Sequence, residues 1–257
     1  TGCSGQAKET EAKTEAADKQ AGSAQTGDTQ EKGDQADDGQ AKEGQTADGK
    51  TYKVALCLSG AELTMSMKGV PDLGVMNVEE LIWATDRICD YASIPIVVDA
   101  ENGYGPALTA AYNCHRLAKA GAAGVIIVDS PEVRIGGESL PLAVGKYRAC
   151  AEALKGTDCI LVARTDVKTL DEAIERCVAY REAGADMTLV FMINDIPPKD
   201  RFEAAKKIAE KDKGWKWYPD LGAHNGKSDV TLEEIAPYGY NFVGIHYCLA
   251  AALTAMM

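Results

Sequence analysis

The chain has 257 residues, 46% of them hydrophobic, and a formal net charge of −12, a length suited to one large domain or two small ones. Its acidity and lack of any clustered Lys/Arg run exclude nucleic acid as the main partner, and no window of about eighteen apolar residues is present to span a bilayer. The average also hides two different polymers. Residues 1–50 contain no Leu, Ile, Val, Met, Phe, Tyr or Trp and carry 11 Asp+Glu against 6 Lys, so they cannot bury enough apolar surface to fold and are expected to form a disordered acidic tether. Residues 51–257 hold every branched aliphatic and every aromatic residue and are long enough for one α/β barrel.

The first feature along the chain is Thr1-Gly2-Cys3-Ser4-Gly5. It is similar to the cleavage junction of a bacterial lipoprotein, in which the Cys carries lipid and a polar tether follows. This implies membrane contact only through a lipid on Cys3, and an extracytoplasmic location if that lipid is present. The remaining seven Cys are spread singly through apolar segments without a C-x-x-C pair, the pattern of buried thiols.

From Lys50 onward, short β-rich runs alternate with helix-period segments. The strands are expected at residues 53–58, 95–99, 124–129, 159–164, 187–193, 215–218 and 242–246. Capping boxes open the intervening helices at Asn77-x-x-Glu80, Thr169-x-x-Glu172 and Thr231-x-x-Glu234, and Gly121, Gly184 and Gly239 stand where helices should stop. Strands alternating with helices at roughly thirty-residue intervals predict a TIM-type (β/α) barrel. An open doubly wound sheet is the weaker alternative, because no G-x-G-x-x-G follows the first strand.

In such a barrel the chemistry sits where strands end. The first strand ends in Ser59-Gly60, the second in Asp99-Ala100-Glu101, the third in Asp129 and the fourth in Arg164-Thr165-Asp166. Three carboxylates on neighbouring strand ends, Asp99, Glu101 and Asp129, would repel one another without a cation between them. Their oxygen donors suit Mg²⁺, with Mn²⁺ as a substitute, rather than zinc. Arg164 can hold an anionic group bidentately, and Ser59 with the Gly60 N–H adds neutral donors. His224 lies in a polar loop at the same end and is a candidate for substrate contact. Gly136-Gly137 can hinge the loop that carries Arg134 and Glu138, whose charges are expected to be solvated.

Ser59-Gly60-Ala61, Val70-Pro71-Asp72-Leu73-Gly74, the segment from Val98-Asp99 to Tyr104-Gly105, Ala163-Arg164-Thr165-Asp166 and Ala183-Gly184-Ala185-Asp186 together resemble the successive motifs of the isocitrate lyase/phosphoenolpyruvate mutase superfamily. The resemblance implies a Mg²⁺-dependent barrel that makes or breaks a C–C or P–C bond beside a 2-oxo or enol carboxylate. It implies Asp99, Glu101 and Asp129 as metal ligands, Arg164 and Asp72 as catalytic residues, and Ser59, Gly60 and Arg164 as substrate-binding groups. It also implies a cytoplasmic enzyme and is compatible with assembly of identical subunits.

Against the family pattern, Glu101 and Asp129 exchange the commoner Asp and Glu. Pro131-Glu132-Val133-Arg134-Ile135-Gly136-Gly137 replaces the lyase branch's Cys-containing segment, which disfavours an isocitrate or methylisocitrate lyase. Phe191-Met192 stands where the family offers Glu or His. The family's first strand has no counterpart in residues 1–50, so a barrel incomplete at both ends is expected.

Two further readings are drawn from the residues. Ala47-Asp48-Gly49-Lys50 and the residues after it resemble the start of solute-binding lipoproteins, which would make the chain a non-enzymatic, two-lobed extracytoplasmic binder. The departures also fit a catalytically degenerate barrel that binds a carboxylate without turnover.

Overall fold

The computed structural model describes residues 43–45, 51–131, 136–221 and 229–245. A short antiparallel pair, β1 (Glu43–Gln45) and β2 (Thr51–Lys53), opens the described chain. Backbone pairing therefore straddles the composition boundary at residue 50.

Seven parallel strands follow: β3 (Leu56–Leu58), β4 (Ile96–Asp99), β5 (Gly124–Val128), β6 (Ile160–Thr165), β7 (Met187–Val190), β8 (Trp215–Tyr218) and β9 (Tyr240–Val243). They lie in one sheet in chain order, each hydrogen-bonded to the next. The helices between them are α1 (Gly60–Lys68) and α2 (Val78–Tyr91), then α3 (Ala107–Lys119), α4 (Leu140–Leu154), α5 (Leu170–Glu182), α6 (Pro198–Lys211) and α7 (Leu232–Ile235). Every expected strand is present, but some bounds move. The first starts at Leu56 because Lys53 is spent in the β2 pairing, and the fifth stops at Val190, where the chain tightens into a 3₁₀ turn (Phe191–Asp195). The last strand starts two residues earlier than expected, at Tyr240.

The capping boxes at Asn77/Glu80 and Thr231/Glu234 form as expected, each satisfying two orphan N–H groups. Thr169 does occupy the N-cap of α5, yet its side chain makes no capping bond.

Strand alternation divides the core into two layers. Val97, Ile126, Val162, Met187, Leu189 and Trp217 share one cluster, and Cys57 of β3 and Phe242 of β9 both pack against it. The sheet therefore curls until its first and last strands face the same interior, as in a barrel. Among the described residues no ladder joins β9 to β3. The alternate residues, among them Ile96, Val98, Val125, Ile127, Leu161 and Ala163, point outward under α2–α5 with Leu81, Leu117, Tyr147 and Tyr180. Among the described residues no helix is long and apolar enough to cross a membrane.

Candidate active site

The C-terminal ends of the strands open onto a cavity of about 1700 Å³, lined by Ser59, Asp72, Asp99, Glu101, Tyr104, Val128, Arg164, Asp166 and Phe191 among others. Most of the residues singled out from the sequence therefore do meet. Ser59 reaches the cavity as the N-cap of α1, where its Oγ accepts the Glu62 N–H at 3.4 Å. Gly60 is buried, and a Cβ at this position would collide with Glu101 Oε1. The lack of a side chain here lets the Glu101 carboxylate approach the first turn of α1.

The turn after β4 is built to aim side chains. Glu101 has φ 52°, Gly103 83° and Tyr104 60°, and left-handed backbone at two non-glycine residues is a cost that local structure must override. It does so through short bonds: the Val128 N–H donates to Glu101 O at 2.7 Å, Gly103 N–H to Ala100 O at 2.9 Å, and Asn113 Nδ2 to Gly103 O at 3.0 Å. Burial, together with the nearby Asp99 and Asp72 charges, pushes the Glu101 carboxyl up to about 7. Burial also raises Asp99, against the opposing pull of Arg164.

Arg164 is gripped along one edge. Its Nε donates to Asp166 Oδ1 at 2.7 Å and its Nη2 to Asp166 Oδ2 at 2.8 Å, while Nη1 stands 3.5 Å from Asp99 Oδ2. The Phe191 ring lies against the guanidinium at 3.9 Å. One aromatic wall and one carboxylate thus fix the orientation of the cation.

Asp129 is the exception. It is fully buried and faces away from the cavity, and its carboxylate accepts from Thr165 Oγ1 (2.6 Å), Tyr180 Oη (2.6 Å), Arg176 Nη1 (3.1 Å) and the Asp166 N–H (3.2 Å). Strand register supplies the reason. Val128 is the Cα partner of Arg164 and shares its face, so the next residue must point to the opposite side. The side chain that β5 presents to the cavity is Val128, and the apparent exchange of Glu for Asp at Asp129 is instead a valine facing the site.

Glu138 also differs from its expected solvated state, since it is 14% exposed and pairs with Lys146 Nζ at 2.7 Å. His224, Arg134 and Cys3 lie outside the described residues. Tyr104 was overlooked in the sequence because Gly103-Tyr104-Gly105 reads as a turn. Its hydroxyl is buried with no hydrogen-bond partner among the described residues, and burial, with Glu101 and Asp99 nearby, raises its pKa. The left-handed conformation demanded between two glycines was the available signal.

The profile of the phosphoenolpyruvate phosphomutase family matches residues 44–256. The chain belongs to this family. Among its relatives, 2-methylisocitrate lyase of Escherichia coli (strain K12) is 34% identical over 60% of this chain and 56% of its own length. An oxaloacetate decarboxylase of Rhodopseudomonas palustris (strain ATCC BAA-98 / CGA009) is 35% identical over 49% of this chain and 47% of its own. The chain thus spans about half the length of the curated relatives it matches. Among solved structures, oxaloacetate acetylhydrolase superposes with a TM-score of 0.68 at 26% identity, covering 79% of this chain and 71% of that one. A phosphonopyruvate hydrolase complexed with oxalate and Mg²⁺ gives a TM-score of 0.69 at 24% identity with the same coverage, a likeness of fold.

For a member of this family the donor set can be tested against a divalent cation. Among the described residues no group of three or more His, Cys, Asp or Glu side chains is disposed to hold a metal. Asp99 and Glu101 nonetheless line one cavity, and the Asp99 charge helps to raise the Glu101 carboxyl, a conflict that a cation relieves. Mg²⁺ commonly takes only one or two protein carboxylates and keeps its waters. The pair therefore fits Mg²⁺ as a sparse site whose β5 corner is apolar Val128.

Proposed function

We propose that this family member binds a small 2-oxo or enol carboxylate together with Mg²⁺ and makes or breaks a C–C or P–C bond in it, as a lyase, mutase or hydrolase. The observation that carries the reading is the convergence of Asp99, Glu101 and Arg164 on one cavity at the strand ends, with Arg164 already oriented by Asp166. Bound there, the cation would supply Lewis-acid polarisation of the substrate oxygen. Arg164 would meet anionic charge through Nη1, because its other edge is occupied by Asp166. Ser59 and Tyr104 would offer hydroxyl donors, and Asp72 would act from the loop before α2. Mn²⁺ would serve in place of Mg²⁺. His224 is kept as a proposed substrate contact and Asp129 as a positioning group.

A second reading, a barrel that binds a carboxylate without turnover, is supported by Val128 and Phe191, apolar side chains facing the cavity where further polar groups would serve catalysis. The curled seven-stranded sheet supports both barrel readings over a two-lobed solute binder. Location is proposed to follow Cys3: lipidated, the barrel is tethered outside the cytoplasm, and the mass of the mature N-terminus tests this.

The deciding experiment is a turnover screen of oxaloacetate, 2-alkylmalates and phosphonopyruvate with Mg²⁺ and with chelator, alongside Arg164→Lys. Metal-dependent turnover reduced in Arg164→Lys supports the enzyme. Binding without turnover of any of them favours the second reading.

A further inference from the structure

Asp99 has a protein partner on each carboxylate oxygen. Its Oδ1 accepts the Glu101 N–H at 3.3 Å, and its Oδ2 stands 3.5 Å from Arg164 Nη1. Both side chains are only 17% exposed, so water screens the pair in part and the two charges are felt strongly. Arg164 cannot turn aside from this contact. Asp166 holds its Nε and Nη2 at 2.7 and 2.8 Å, and the centre of the Phe191 ring lies 3.9 Å from the guanidinium carbon.

The neighbouring strand adds no donor. Val128 is the Cα partner of Arg164 and lines the cavity, while Asp129, the next residue, is fully buried on the opposite side against Thr165, Tyr180 and Arg176. Of the strand-end carboxylates that line the cavity, Asp166 is taken by Arg164, so Asp99 and Glu101 are those left to a cation. A guanidinium fixed beside one of the two opposes any positive charge that comes to it. Mg²⁺ sites with so few carboxylates are completed by waters and by oxygens of an anionic substrate.

We infer that Arg164 couples the two ligands of this site: it opposes the cation at Asp99 until an anion takes its Nη1, so that Asp99 and Glu101 retain Mg²⁺ firmly only in company with the anionic substrate. Val128 strengthens the coupling by withholding a third carboxylate. The inference rests on the proposed function for the presence of both ligands. It goes beyond that reading by giving Arg164 a second task, the control of metal affinity, besides contact with the substrate.

The test follows Mn²⁺, a paramagnetic stand-in for Mg²⁺, by electron paramagnetic resonance. The full chain is titrated with and without saturating oxalate, and a protein-free titration of metal and oxalate gives the blank. Beyond that blank, oxalate should tighten Mn²⁺ binding at least about tenfold, and Mn²⁺ should tighten oxalate binding by the same factor. Arg164→Gln should tighten Mn²⁺ binding to the anion-free chain at least about threefold, because the opposing charge is gone, and should abolish most of the gain from oxalate. An arginine that merely supports the site predicts the opposite sign, weaker anion-free metal binding in this variant. Val128→Glu should raise the anion-free affinity and leave a smaller coupling than in the parent. Mn²⁺ binding equally tight with and without oxalate would overturn the inference on the parent chain alone, whether or not the variants fold. Weaker anion-free metal binding in folded Arg164→Gln would overturn it as well. The proposed function fails separately: if the folded parent binds both ligands independently, the site stands and only the coupling falls, whereas if it binds neither, the site falls and the coupling with it.

Discussion

Asp129→Asn separates a structural carboxylate from a metal ligand. In the fold this side chain is fully buried and bonded by Thr165, Tyr180, Arg176 and the Asp166 N–H. Asparagine keeps the volume but removes the charge and replaces one accepting oxygen with a donor, leaving Arg176, 7% exposed, without its buried counter-ion. Breaking a buried pair from one side costs about 3–5 kcal/mol, and for a domain of this size each kcal/mol moves Tm by about 2–4 °C, so Tm should fall by roughly 6–20 °C. Adding Arg176→Met should recover part of that loss, because the cation, left with only the more exposed Glu172 as counter-ion, is removed as well. Thermal melts followed by circular dichroism read the loss. Calorimetry of the folded fraction should find Mg²⁺-dependent oxalate affinity within about threefold of the parent, since Asp129 faces away from the cavity. An unchanged melt with abolished metal-dependent binding would refute the reasoning and restore Asp129 as a ligand.

Other expectations follow from the same geometry. Val128→Glu places a third carboxylate on the face shared with Arg164 and should tighten Mg²⁺ binding at least about tenfold by calorimetry, a gain of ~1.4 kcal/mol or more; unchanged affinity would mean that Val128 does not face the cation. Gly60→Ala forces a methyl group against Glu101 Oε1, and should weaken Mg²⁺-dependent oxalate binding while leaving the circular dichroism spectrum intact. Because folding raises Glu101 from 4.5 to about 7, the folded chain holds more protons than the unfolded chain between those values, so this group's contribution to stability falls as pH rises through that window. Mg²⁺ should consequently raise Tm more near pH 8 than near pH 5, and scanning fluorimetry at both checks the sign.

How far the residues disclose the fold and the site depends on the kind of signal. Strand positions were legible because short β-branched runs are bounded by glycines and capping residues, and Asn77/Glu80 and Thr231/Glu234 behave as local chemistry dictates. The Asp99–Tyr104 turn and Arg164 were legible because charged residues seldom end buried strands without a task. The direction of Asp129 was not. All five residues of β5 are buried, and a strand covered on both faces loses the apolar–polar alternation that tells inside from outside. Register with β6 decides it, and register is a tertiary fact. Glu138 was read as solvated because its partner Lys146 lies on α4, beyond the reach of local pattern. The roles of Gly60 and Phe191 depend in the same way on neighbours from other strands, Glu101 and Arg164.

The central claim is that Asp99, Glu101 and Arg164 form one anion-and-cation site. Calorimetric titration of the chain with oxalate, with and without Mg²⁺ and beside Asp99→Ala, tests it most directly. The account predicts oxalate binding that requires Mg²⁺ and is lost in Asp99→Ala. Absence of binding in folded protein, or binding indifferent to both the metal and the substitution, would contradict it.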